Sequence, residues 1–182
     1  MSRGLLLMLA LQVGAVPEER LRTLQKLRTT DRIVSEAIRA GVLESATFAS
    51  LVEIIERSNT IVYVARRLKL PHRMEGCLVH AGRNQRYPYL RVLLRAAIPP
   101  ERMIAILAHE LQHVREVLDA GVATDQRALK DLFARVGIPQ LGTDNGEQYE
   151  TQEAQRVMEV VAAEVRASRR TRASPHRLKP WP

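Results

Sequence analysis

Hydrophobic positions along the chain switch between helical and strand spacing, and each switch marks an element. Over residues 31–40 the apolar positions Ile33, Val34, Ala37 and Ile38 recur at helical spacing, and Gly41 is the expected stop. Ser45 offers an N-cap to a second helix that carries Phe48, Leu51, Val52, Ile54 and Ile55 on one side and closes near Asn59. The period then shortens. Residues 60–65 and 76–81 are short runs rich in β-branched or other apolar side chains, and 85–94 alternates after a turn at Gly82-Arg83-Asn84, so three strands are expected. Pro88 inside the third assigns that strand, or its start, to a sheet edge.

Pro99-Pro100 opens the strongest helix, expected over 101–118, and a further helix is expected from Thr124-Asp125 to Arg135, closed by Gly137 and Pro139. After a loop with Gly142, Asp144, Asn145 and Gly146, a last helix is expected over 148–166. These elements predict an α+β fold in which a small mixed sheet of about three strands packs on the strong helix.

A length of 182 residues suits one domain with a sizeable core, and 46% apolar against 26% charged residues excludes a wholly disordered chain. The lone Cys77 rules out an internal disulfide, paired-cysteine zinc sites and iron–sulfur clusters. The net charge of +8 favours acidic neighbours. Residues 1–15 have the layout of a signal peptide: a cation at Arg3, an apolar run from Leu5 to Leu11, and small residues before Val16. The run is too short for a transmembrane anchor. Export to the periplasm or medium is expected after cleavage, and a cytoplasmic location if the segment is retained. Residues 16–44 read as an N-terminal helical segment whose first part, 17–27, is a short helix or tether. The main domain spans 45–166, and 167–182 is a basic, proline-containing tail expected to lack structure.

The chemistry concentrates in His109-Glu110-Leu111-Gln112-His113. Histidines at i and i+4 stand on one helical face about 6 Å apart and can converge on one zinc ion, while Glu110 is turned about 100° from His109, within reach of the open side of the metal. The surrounding apolar positions Met103, Ile104, Ile106, Leu107, Leu111, Val114 and Val117 bury most of the helix, a poor setting for two histidines and a glutamate unless a metal or one another satisfies them. Four acids compete to complete the site. Asp119, six residues after His113, is turned about 240° away if the helix continues. Asp144 sits one residue off the place where aspzincins carry their aspartate. Glu116 lies about 10 Å along the axis from His109, which suits a supporting or substrate contact. Glu150 opens the last helix, three positions before Glu153.

Three strands, a His-Glu-x-x-His helix and a later glutamate helix resemble the zincin metallopeptidases, gluzincin branch. The run HELQHVREV with YETQEAQRVM downstream is similar to small bacterial proteins that carry HELQH and an aromatic-Glu-Thr helix. The chain departs from gluzincin patterns in having Gln155 after Ala154, where an aspartate is usual. The resemblance implies one zinc ion per chain held by His109, His113 and Glu150. It further implies a peptide or protein substrate, hydrolysed by a zinc-bound water that Glu110 activates as the catalytic base. Tyr149, or Tyr87 and Tyr89 on the expected edge strand, can supply a hydrogen bond to the oxyanion. Two rivals stand beside this reading. One is a zinc-binding scaffold without turnover. The other is a basic polyanion- or envelope-binding protein, although no nucleic-acid motif is present and no specific nucleic-acid partner is expected.

Overall fold

The computed structural model describes residues 24–70, 74–123, 125–139 and 149–173; the expected signal peptide, Asp144 and the last part of the basic tail lie outside them. The described chain is mixed α+β, with five helices, a four-stranded mixed sheet and a two-stranded ribbon.

Helix α1 (Arg32–Glu44) begins at Asp31, whose carboxylate accepts from the N–H groups of Ile33 and Val34 and also pairs with Arg66 at 2.8 Å. The helix does not stop at Gly41. The Phe48 ring fills the space where a Cβ at position 41 would stand, 2.8 Å away, so this glycine serves close packing inside the helix. α1 ends only where Ser45 adopts an extended backbone and caps α2 (Ala46–Arg57) through the Phe48 N–H. Glu164 also accepts from the Ser45 and Thr47 hydroxyls.

The sheet runs β1 (Leu27–Arg28), β2 (Ile61–Arg67), β4 (Pro88–Arg95), β3 (Gly76–Arg83), with β1, β2 and β4 parallel and β3 antiparallel to β4. Two expectations change here. Leu27 belongs to a strand instead of a helix or tether, because the Glu56 carboxylate accepts from the backbone N–H groups of Gln25, Lys26 and Leu27 and pins that segment beside β2. The edge strand next to the strong helix is β3, not β4. Pro88 is the first residue of β4, opposite Arg83 beside the hairpin turn, where a missing N–H costs the ladder little. The rest of β4 is therefore free to run inside the sheet, with Leu90, Val92 and Leu94 fully buried.

Helix α3 (Pro100–Asp119) has prolines at its entry and Glu101 in its first turn, as a helix N-terminus favours. Every residue from Met103 to Val114 is buried, so α3 is the central rod of the fold, packed between the sheet and α5. Helix α4 (Gln126–Val136) starts at the Asp125 cap and leads into β5 (Ile138–Pro139), which pairs with β6 (Tyr149–Glu150). That pairing draws residues 149–150 into a strand, so α5 (Gln152–Ala173) begins later than the spacing suggested. α5 lays Ala154, Val157, Val161 and Val165 along α3. It continues seven residues past Arg166, into the stretch expected to be a tail. Arg169 bridges Glu44 and Glu101 there, and Arg172 also pairs with Glu44. No helix among the described residues is long and apolar enough to cross a membrane.

Candidate metal centre

The central position of α3 decides where its polar residues can go. His109, Glu110, Gln112 and His113 sit within a continuous buried stretch, where a polar group left unpaired is costly. The helical spacing stacks the two imidazoles one turn apart, with ring centroids 4.8 Å apart and planes nearly perpendicular. The β5–β6 ribbon then carries Glu150 over them. Its two carboxylate oxygens lie 3.1 Å from His109 Nε2 and 3.2 Å from His113 Nε2. Glu150 is therefore not in a helix, as expected, but in the short strand just before one. Its own Oε1 also accepts the Thr151 N–H.

The hydrogen-bond pattern restricts what can lie between these three side chains. His113 Nδ1 is 2.9 Å from Glu116 Oε2, and a carboxylate can only accept, so Nδ1 carries the hydrogen. A neutral His113 then has a lone pair on Nε2, aimed at an oxygen of Glu150. Two acceptors at 3.2 Å repel unless a cation sits between them, and that cation is either a second proton or a metal ion. In the metal-free state the proton takes the place. Burial disfavours a charged His113, yet Glu116, Glu150 and Glu110 outweigh burial and push its pKa up to about 10. Burial likewise opposes the Glu150 charge, and the two imidazoles overcome it and hold that carboxyl down to about 2.

The same geometry fits a metal. His109, His113 and Glu150 form a buried group that can hold a metal ion, with one ligand atom from each lying within 4.8 Å of the others. Ligands about 2.1 Å from a tetrahedral ion stand about 3.4 Å from one another, close to the two nitrogen–oxygen distances found. Glu116 gives His113 the carboxylate–imidazole support common behind metal-ligating histidines. Its other oxygen accepts the Thr151 hydroxyl at 2.8 Å, and Thr151 in turn caps α5 through the Ala154 N–H. The start of α5 is thus tied to the histidine helix one residue beyond Glu150.

Glu110 points elsewhere, toward the start of β3. A Cβ at Gly76 would strike its carboxyl, so the strand can pass this close only because residue 76 has no side chain. Burial pushes the Glu110 carboxyl up, against the opposing pull of His113 and His109. The neighbouring Cys77 thiol is pushed up to about 11 by burial and by Glu110, so it stays protonated and unreactive.

Among the described residues, Asp119 and Glu153 do not reach the centre. Asp119 is exposed and pairs with Arg115 on its own helix. Glu153 pairs with Arg156 through both oxygens. Neither Tyr87 nor Tyr89 is at the site: Lys26 lies over the Tyr87 ring, and Tyr89 packs near Tyr63 on the far side of the sheet. Strand alternation turns Tyr149 to the opposite side of the β5–β6 ribbon from Glu150, where its Cβ lies against Gly137. Four contributors escaped the sequence reading. Gly76 and Thr151 carry weak local signals, a glycine opening a strand and a threonine ahead of a helix. Phe133, edge-on to the His113 ring at 5.0 Å, and Gln126, which accepts the His80 N–H, come from α4 and have no local signal.

No protein-family model matches this chain, and neither a curated protein nor a solved structure matches it.

Proposed function

We propose that the protein is a zinc-dependent hydrolase of peptide bonds with a zincin-like arrangement of its site. The observation that supports this most is the convergence of His109, His113 and Glu150 beside a buried carboxyl, Glu110, that belongs to none of their hydrogen bonds. His109, His113 and Glu150 would hold the zinc ion, which would supply a Lewis acid for the substrate carbonyl and the attacking water.

The chain's own residues do the rest. Glu110, with its pKa raised by burial, accepts a proton from the attacking water and returns it to the departing amine. Gly76 leaves the space that holds this carboxyl in place. Antiparallel alternation turns the N–H and C=O groups of Gly76 and Leu78 outward from β3, where an extended peptide can pair with them beside Glu110. Gln126 occupies the next outward N–H, that of His80, and marks the end of that track. Glu116 and Thr151 keep the His113 ring and the start of α5 fixed relative to each other.

Chelation tests the reading. Digestion of an unfolded protein substrate by the purified chain should be lost after dialysis against a chelator and restored by about one equivalent of zinc. Metal uptake with no cleavage across a broad peptide library would favour the non-catalytic scaffold instead.

A further inference from the structure

We propose that the sheet face turned away from the helices binds single-stranded nucleic acid without sequence preference. The sheet residues in the main core, Val62, Val64, Leu90, Val92 and Leu94 among them, all belong to the helix-facing side. Alternation sends the intervening residues to the other side, and the strand register lines them up. Tyr63 is flanked by Arg28 on β1 and Arg91 on β4, Ala65 stands beside Leu93, and Arg67 beside Arg95. Cations therefore lie at both ends of a recessed apolar strip, with the exposed ring of Tyr63 at one end of it and the Tyr89 ring 6.2 Å away.

Charge selects the occupant. None of the four strands contains an acidic residue. Arg67 and Arg91 are exposed and have no carboxylate partner among the described residues. A single strand offers what this face lacks: phosphates for the outer arginines and flat bases for tyrosine and the apolar strip. A membrane surface would be met by several protruding apolar anchors, whereas this face offers only Leu68 just beyond Arg67, with Ala65 and Leu93 half-buried between arginines. No linear motif announces the surface, because its aromatic and basic residues meet only across strands. It lies on the opposite side of the sheet from the metal centre, so it is a recruitment surface and not part of the hydrolytic site.

Fluorescence anisotropy of the full chain with a labelled 15-nucleotide oligo(U), over a range of salt, tests this. The parent should bind, and binding should weaken steeply with salt. An Arg67→Ala/Arg91→Ala double variant should bind at least tenfold more weakly, with a log–log salt slope shallower by about 1.4, the loss of two single-strand phosphate contacts. Tyr63→Ala should weaken binding at least fivefold with the slope unchanged, which a purely electrostatic surface would not show. No binding at low salt would overturn the proposal. So would binding that survives both variants, which would place it elsewhere on the chain, and so would binding to anionic phospholipid vesicles but not to the oligonucleotide.

Discussion

A Glu110→Gln variant is expected to keep its full metal content and to lose peptide hydrolysis by at least about 100-fold. The substitution keeps size and shape, so the buried pocket against β3 is undisturbed. What disappears is the group that takes and returns the proton. Gly76→Ala is the companion variant. The Glu110 Cγ lies 2.9 Å from where the new methyl would stand, and the adjacent carboxyl must move to make room. Hydrolysis should fall at least about tenfold there too, since a base must lie within hydrogen-bond reach of the proton it removes. Initial rates on an unfolded substrate, with metal content measured on the same samples, check both. Parental rates in Glu110→Gln would remove Glu110 from the chemistry.

The second large effect is expected at Glu150. Glu150→Gln should lower zinc affinity by at least about tenfold, while Glu153→Gln should change it little. The carboxamide still reaches His109 Nε2 and His113 Nε2 but brings no negative charge to a dication shared with two neutral imidazoles. Glu153 is only three positions away, yet it faces Arg156 in solvent, and its carboxyl is held low by that guanidinium. Competition with a zinc-sensitive dye gives both affinities. A loss in Glu153→Gln with none in Glu150→Gln would reverse the assignment.

The facing of the histidine pair was legible in sequence because it depends on positions within one helix, and helical geometry converts spacing directly into direction. Three of the four strands of the sheet, β2, β3 and β4, were legible for the same reason. The sheet's order was not, because order depends on pairing at a distance. Leu27 joins the sheet through a glutamate 29 residues away, and Pro88 looked like an edge signal until its place beside the hairpin turn was known. Glu150 was singled out by the resemblance, which expects an acid from a later helix, but its element was misread, since β6 exists only through pairing with Ile138 and Pro139. Glu116 shows the same split. Its place on the histidine helix was readable, but its link to Thr151 spans 35 residues and belongs to the tertiary fold. The run to Ala173 was hidden because basic residues without nearby acids look like a tail until Glu44 and Glu101 are brought beside them.

The most direct measurement is metal content per chain, by elemental analysis of the purified parent beside His109→Ala and His113→Ala. The expected result is about one zinc per parent chain and none in either variant, because two remaining ligands do not hold the ion. Stoichiometric zinc in both variants, or none in a parent supplied with zinc, would contradict the metal centre and leave a buried, protonated histidine–glutamate cluster in its place.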